Sequence, residues 1–517
     1  MSDETGPGPR SEPGARPRLT LTQPPHATPA QHPRLALTLV LAASLALSLG
    51  LAVTIPLIDP DEGRNAEVSR EMAAGGDFVI PHLAGMPYLD KPPALYWAAA
   101  LAIRAIGHTP LAARLPSIIA SLVTLWLFGL AARRAGGERF ALIAIALLAT
   151  APLYAALSAY VIFDMPLTLC VSIVWLGASR AATPAPRTVE RLLIFGAIAA
   201  GLLLKGPVML AWALGGSLCA ALLARSRDSL NWAAWMPGWI LALGTPGAWF
   251  ALTSARFPEY PHYALIEETF ERVTSGSFHR NQPWWFVPAV LVGGTLPWSL
   301  ATPWSRARFS RSDPRVAHTA RVGLGFVVFS GVFFTLSHSK LVTYLLPALP
   351  PLAWTAAAMW ADRAPRRRAM AMLALLALAL TAALVVIALR YPASERGKLS
   401  GAPLARAIAD VGGDAVRYED CYSAGTDFLL ARSSQLVSTR GVETTSNYLI
   451  RYRETLRAHG LWTAFDRPPA GGASIVVRQV RSTKPPPAGG TEFYRDSRFV
   501  AFRIADRGAA TGQPPAR

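Results

Sequence analysis

The chain has 517 residues, 52% of them hydrophobic, with a formal net charge of +18 and three cysteines. So apolar a composition excludes an ordinary soluble protein of this size and points to a polytopic helical membrane protein. The charge does not indicate a nucleic-acid partner, because the arginines sit in short loops between apolar runs, where they set topology. Cys170 and Cys219 fall in apolar runs and Cys421 stands alone in the C-terminal region, so there is no zinc spacing and no disulfide within that region.

Residues 1–33, rich in Pro, Gly, Ser and Thr, read as a disordered cytoplasmic tail. The apolar run 35–58 lacks a convincing cleavage site and reads as an uncleaved anchor. The densest charge in the chain follows directly: Asp59-Pro-Asp61-Glu62-Gly-Arg64-Asn-Ala-Glu67-Val-Ser-Arg70-Glu71, running on to Tyr88-Leu-Asp90-Lys91-Pro92-Pro93. Acids and bases at a membrane boundary are costly unless solvated or paired, so a chain that keeps them there is expected to use them. Residues 94–106 are apolar but short, and read as a half-helix or juxtamembrane helix that does not cross. Further spans are expected at 115–132, 140–157, 165–179, 189–204, 207–223, 232–252, 286–303, 322–336, 341–359 and 369–388.

Alternate loops between these spans are basic. They carry Arg133/Arg134/Arg139, Arg180/Arg187/Arg191, Arg225/Arg227, the arginines from Arg306 to Arg321, and Arg363/Arg366/Arg367/Arg368. The positive-inside rule makes that side cytoplasmic. The remaining loops then share the outer face, and they hold most carboxylates and histidines of the membrane region. Residues 391–517 are less hydropathic. Helical patterns at 404–411 and 448–459 and strand patterns at 474–480 and 499–504 read as a small outer α/β domain. The expected architecture is an all-α polytopic membrane domain over 34–390 with about 11–13 transmembrane helices, followed by an α/β periplasmic domain over 391–517. The expected location is a bacterial inner membrane, with the chemistry on the periplasmic side.

The acids and bases on the outer face suggest particular chemistry. In the first charged block Arg64, Glu67 and Glu71 share a helical face, which lets salt bridges hold one acid while Asp61 faces a cavity. Glu62 is a second catalytic candidate. Asp164 opens an apolar span, followed by Met165-Pro166, and suits either a helix cap or a carboxylate beside Asp61. The chain has only five lysines, yet Lys91, Lys205 and Lys340 all sit at outer membrane boundaries. A compact ammonium there can meet a phosphate as a point charge. Tyr344 stands one turn from Lys340. His279 with Asp90 could bind a divalent metal ion of unknown identity. No phosphate-binding loop, dinucleotide fingerprint, nucleophile elbow or HExxH is present. A phosphate-bearing substrate with a lipid tail fits these residues, and a soluble nucleotide donor does not.

Taken in order, Asp61-Glu-x-Arg64, Arg70-Glu71-Met, Gly76-Asp77-Phe, Tyr88-x-Asp90-Lys91-Pro92, Ala113-Arg114-Leu-Pro-Ser, Asp164-Met-Pro-Leu, Lys205-Gly-Pro and Ser339-Lys340-x-x-x-Tyr344-x-x-Pro347 resemble a known set. They are similar to the lipid-carrier-dependent glycosyltransferases of the GT-C fold, which include the 4-amino-4-deoxy-L-arabinose lipid A transferases and the protein O-mannosyltransferases. The resemblance covers about residues 35–360. It implies a polyprenyl-phosphate sugar donor, with lipid A or a protein hydroxyl as acceptor, and inversion at the anomeric carbon. It makes Asp61 the catalytic carboxylate with Asp164 as its neighbour, and gives the carrier phosphate to Arg64, Tyr88, Lys91 and Tyr344. Asp90 stands where the arabinose transferases have a metal-binding Glu, one methylene longer, and His279 fills the histidine role. The residues after Arg64 also depart from the aromatic common in those enzymes. A non-enzymatic transporter of a polyprenyl-linked sugar is the alternative from another class, disfavoured by the lack of an internal repeat.

Overall fold

The computed structural model describes residue 2 and residues 33–180, 188–274, 281–302, 304, 313–360, 399–412, 415–462 and 474–504. An uncharged apolar run has one low-cost conformation in a bilayer, the helix, because its backbone groups then bond within the segment. Among the described residues, four helices are long and apolar enough to cross a membrane by length and composition. They are Leu37–Thr54, Pro110–Ala149, Pro314–Leu336 and Val342–Trp360. Other helices stand where spans are expected, at Asp164–Arg180, Thr188–Lys205 and Met236–Arg256. The run 94–106 is a helix of 13 residues, Ala94–Ile106. The expected span 369–388 lies outside the described residues.

The 40-residue element Pro110–Ala149 is two helices, not one. Gly137 takes a left-handed φ of 73° with extended ψ, a conformation glycine reaches without steric cost. The chain folds back there: a Cβ on Gly129 would collide with the Ile145 side chain. In a straight helix sixteen residues would separate these by roughly 24 Å. One expected span departs from the prediction. Of the expected span 286–303, residues 286–302 form two short helices, Phe286–Gly293 and Trp298–Ala301. The paired Gly293 and Gly294 and then Pro297 remove helix propensity and a backbone donor at the break.

Edge-to-face aromatic pairs fix the membrane domain's core. Trp175 and Trp354 lie 5.7 Å apart, and Phe128 and Phe140 pack on the same Trp354. These rings are fully buried or nearly so, and each such pair adds about 0.5–1.5 kcal/mol beyond its buried area.

The charged block forms the helix Asp61–Gly75, closed by a left-handed Gly76. It is not a solvated surface helix, since Glu62, Asn65, Glu67, Ser69 and Arg70 are all buried. It lies against Ala94–Ile106 on one side and, on another, against the helix Ala424–Leu430 of the C-terminal domain, the one expected to be the outer domain. Gly63 meets the backbone of Gly425 closely enough that a Cβ would clash, which explains a glycine in the first turn.

The outer domain is built on a five-stranded sheet of order β4-β3-β5-β7-β6. The strands are β3 Val416–Glu419, β4 Gln435–Val437, β5 Ile475–Gln479, β6 Gly490–Arg495 and β7 Phe499–Ile504; a short hairpin, β1 His82–Leu83 with β2 Met86–Pro87, precedes them. β3 runs parallel to β4 and β5, while β7 is antiparallel to β5 and β6. The helix Ala424–Leu430 makes the crossover a parallel β3–β4 pair requires. β5 is buried along Ile475–Arg478, whereas the edge strand β6 carries Glu492 and Arg495 to solvent, as a managed edge should.

Candidate active site

The charged helix sorts its acids by burial. Glu62 is wholly buried and accepts from Arg114 at both oxygens, Nε to Oε1 at 2.7 Å and Nη2 to Oε2 at 2.7 Å. Backbone donors of Ile58 and Val161 complete its shell at 3.0 and 3.1 Å. Arg114 also donates to the carbonyls of Ala52, Ile55 and Pro56. This pair ties the end of the first span to the start of the charged helix. Glu67 and Arg70 form a second buried pair at 2.6 Å. Glu71 accepts from the backbone of Ala84 and Gly85 at the β1–β2 turn.

Asp61 is different: its side chain is 59% exposed, with Arg64 as its partner at 2.6 Å. Arg64 is aimed at Asp61 and at the Thr445 hydroxyl of the outer domain, away from Glu67. It also lies over the Tyr88 ring at 5.9 Å. Asp164 is paired with Lys205, not with Asp61. Lys205 in turn sits over the Tyr344 ring at 4.2 Å.

A cavity of about 780 Å³ opens beside Lys205 and Tyr344. Its walls are apolar, with Leu202, Trp212, Trp249, Phe250, Phe333 and Phe334 among them, while Asp90, Lys91, Lys205, Glu268, Arg272 and Tyr344 line it as well. Lys91 donates to Glu268 and to its neighbour Asp90's carbonyl, and Glu268 also holds Arg272. Burial pulls the Lys91 ammonium below its usual range, Glu268 opposes that shift, and Arg272 adds to it. Lys340 is buried, and among the described residues no hydrogen bond or ion pair holds its ammonium. Tyr88 is buried beside Tyr96.

Asp90 points into the outer domain. Its carboxylate accepts from the Tyr263 hydroxyl and from the backbone N–H of Asn447 and Tyr448 at 3.1 and 2.9 Å. Those N–H groups begin the helix Asn447–Arg451, whose first amides have no partner of their own. A divalent ion would have to compete with all three donors, and His279 lies outside the described residues. Among the described residues no group of three or more His, Cys, Asp or Glu side chains could hold a metal. The fit to a metal is therefore poor on the Asp90 side.

Sequence reasoning missed Glu268, Arg272 and the structural part of Arg114. Arg114 stood inside a quoted motif without a role. Glu268 and Arg272 carried one available signal, opposite charges four residues apart in a run leading to a membrane boundary.

Comparison with known proteins adds an independent line. Residues 90–249 match the family described as dolichyl-phosphate-mannose-protein mannosyltransferase. The crystal structure of ArnT from Cupriavidus metallidurans bound to undecaprenyl phosphate superposes with a TM-score of 0.75 at 21% identity, covering 92% of this chain and 99% of that one. The chain has the ArnT fold. The undecaprenyl phosphate-alpha-4-amino-4-deoxy-L-arabinose arabinosyl transferase of Pectobacterium carotovorum is 32% identical over 322 residues, 60% of this chain and 56% of that protein. Its counterpart in Pseudomonas aeruginosa is 32% identical over 322 residues, 60% of this chain and 57% of that protein. The chain thus spans little more than half the length of the curated relatives it matches. It resembles the GT-C lipid-carrier-dependent glycosyltransferases, the aminoarabinose transferases in particular.

Proposed function

We propose that this protein is an inner-membrane glycosyltransferase that moves a sugar, of aminoarabinose type, from a polyprenyl-phosphate carrier to a phosphate of lipid A on the periplasmic side. The observation that carries the reading is the apolar cavity of about 780 Å³ with lysine and arginine side chains among its lining. A long isoprenoid needs apolar walls and its phosphate needs cations. The likeness to a protein solved with undecaprenyl phosphate supports the same reading.

In the reaction an acceptor oxygen attacks the anomeric carbon, and the bond to the carrier phosphate breaks with its electron pair on the phosphate. Asp61, exposed and aligned by Arg64, orients the acceptor oxygen or takes its proton. Lys91, Arg272, Lys205 and Lys340 neutralise charge growing on the departing phosphate, with Arg64, Tyr88 and Tyr344 beside them. Lys91 and Lys205 are paired with Glu268 and Asp164. In this scheme those carboxylates are resting counter-ions that the donor phosphate displaces. Asp164 then acts by positioning Lys205, and Glu62 by holding the helix that presents Asp61. Asp90 positions Lys91 and the outer domain, and no step requires a metal.

The direct test is transfer of a radiolabelled sugar from defined undecaprenyl-phosphate aminoarabinose to lipid A by the purified full chain. Lipid A mass spectra from cells with and without the protein provide the in vivo counterpart. Label appearing on protein hydroxyls and not on lipid A would replace the acceptor. Movement of donor across vesicles without transfer would replace the enzyme by a transporter. The loops 133–139 and 225–227 should face the cytoplasm and residues 399–504 the periplasm. A phosphatase fusion after residue 504 that is silent would reverse this orientation.

A further inference from the structure

A second cavity, of about 570 Å³, lies between the start of the charged helix and the outer domain. Asp59, Pro60 and Arg64 form the membrane-side wall; Thr444, Thr445, Arg481 and Arg498 are on the outer-domain side. We propose that this cavity receives the phosphorylated sugar headgroup of the acceptor, with Arg481 and Arg498 gripping its phosphate. What enters the cavity rests on the transfer reading above; the site itself rests on the four observations that follow.

Arg481, just beyond β5, is exposed, and among the described residues it makes no hydrogen bond or ion pair. Arg498 is the second guanidinium. It lies 3.6 Å from Asp59, stacks on the Phe499 ring at 4.9 Å and donates to the Ser400 carbonyl. The carboxylates in the wall also accept from neutral donors, and Asp59 is in addition the ion partner of Arg498. Asp59 accepts from Ser423 and from the Gly425 amide at 3.1 and 3.2 Å, and Glu443 accepts from Ser438 at 2.5 Å. Arg481 therefore remains for an incoming anion, which would also draw Arg498 away from Asp59, and two planar forks suit a phosphate better than two ammoniums would.

The third observation is backbone strain. Thr445 holds a φ of 56°, a left-handed conformation that a β-branched residue rarely adopts. Such strain persists where surrounding structure enforces it, and it marks functional sites. Here it sets the Thr445 hydroxyl on Arg64. The fourth is location. Arg64 lines this cavity and grips Asp61, while its ring partner Tyr88 leads directly into Leu89, Asp90 and Lys91, which line the apolar cavity. The polar chamber and the apolar chamber thus approach each other at the Arg64–Tyr88 contact, with Asp61 bonded to the same Arg64. A lipid-linked donor belongs in the apolar one, which leaves the arginine-bordered one for the acceptor's polar head.

The test uses the full chain in nanodiscs. Binding of diphosphoryl lipid A, of the same lipid with both phosphates removed, and of undecaprenyl phosphate is measured by thermophoresis. The wild type should prefer the diphosphoryl form by about tenfold or more. Arg481→Ala should abolish most of that preference and Arg481→Lys should restore part of it, with undecaprenyl phosphate affinity unchanged in both. Arg498→Lys, which keeps the charge and shortens the fork, should weaken the diphosphoryl form alone. The proposal falls if the wild type binds both lipid A forms equally, or if the arginine variants bind the diphosphoryl form like the wild type. It also falls if millimolar inorganic phosphate displaces the lipid completely, since the site would then read a free anion. A wild type that binds with the expected preference yet transfers no sugar would overturn the transfer reading and leave this site standing. Transfer to lipid A with an unchanged acceptor KM in Arg481→Ala would do the reverse.

Discussion

Removing the Lys91 ammonium should weaken the donor site in a calculable way. Lys91 lines the apolar cavity and is held there by Glu268 and by the Asp90 carbonyl. A charge-assisted hydrogen bond to phosphate contributes roughly 1.5–3 kcal/mol, which is about 10- to 150-fold in affinity. The loss should fall at the low end, because Arg272 shares Glu268 and remains to meet the phosphate. Lys91→Ala should therefore raise the dissociation constant for undecaprenyl phosphate about tenfold. Lys91→Arg should recover only part, since the guanidinium is larger and differently aimed. Lys484→Ala is the control, because its exposed ammonium pairs with Asp420 and neither residue lines the apolar cavity. Burial lowers the Lys91 pKa, so its charge is lost earlier on the alkaline side than that of a free lysine. Donor affinity should accordingly fall as pH rises through that lowered value, and the fall should vanish in Lys91→Arg. Titrations in nanodiscs measure both effects. If Lys91→Ala and Lys484→Ala behave alike, Lys91 is an interfacial anchor and the phosphate binds elsewhere.

Asp61→Asn should abolish transfer while donor binding and melting temperature stay near wild type, because an exposed carboxylate carries little of the fold; retained turnover would remove Asp61 from the mechanism. Arg114→Met strands the buried Glu62 carboxylate and should cost about 3–5 kcal/mol, read as a large drop in thermal stability, whereas an unchanged melting curve would mean that the pair is not structural. Asp427, buried against Ser434, has a carboxyl pushed up by burial to about 7 from 3.8. The folded state thus holds its proton more tightly than the unfolded chain, so its contribution to stability is full below about pH 4 and is lost as pH rises towards 7. Melting temperatures across that window should fall for the wild type by more than for Asp427→Asn, and parallel curves would count against the assignment. Asp90→Asn should loosen the outer domain, seen as faster proteolysis between residues 399 and 504, and restoring activity with added zinc or manganese would argue for a metal instead.

Much of the membrane domain was legible because its signals are local. Apolar runs and loop arginines mark helices without knowledge of their neighbours, and the reversal at Gly137 falls at the Gly136-Gly137 pair between two expected spans. Asp61 outside the salt-bridged acids followed from helical spacing, whereas Glu62, expected as a second catalytic acid, is instead buried and held by Arg114, 52 residues on. What was not legible depends on long-range pairing. Lys205 could be read as a phosphate ligand, but its partner Asp164 lies 41 residues earlier. Asp90 looked like a metal ligand because its donors, Asn447 and Tyr448, lie more than 350 residues away. The strands β3, β4 and β6 escaped notice because they are short, with mixed composition, and become strands only by pairing: β3 with β5, β6 with β7, and β4 with β3 in turn.

Those long-range contacts explain why the membrane motifs cannot constitute the site alone. Asp59 is held by Ser423 and Gly425, Arg64 by Thr445, Arg70 by Ser433 at 2.7 Å, and Asp90 by Asn447 and Tyr448. Each contact joins a residue of the charged block or its continuation to the outer domain. Glu267 and Glu259, from the segment after Met236–Arg256, add bonds to Arg451, Tyr452 and Tyr448. A charged helix at a bilayer surface would otherwise be free to tilt into water, since its own hydration favours that. Pinned from above by the outer domain and from below by Arg114 and Glu62, it presents one exposed carboxylate in a fixed place. The outer domain thus adds restraint to the two arginines proposed to meet the acceptor.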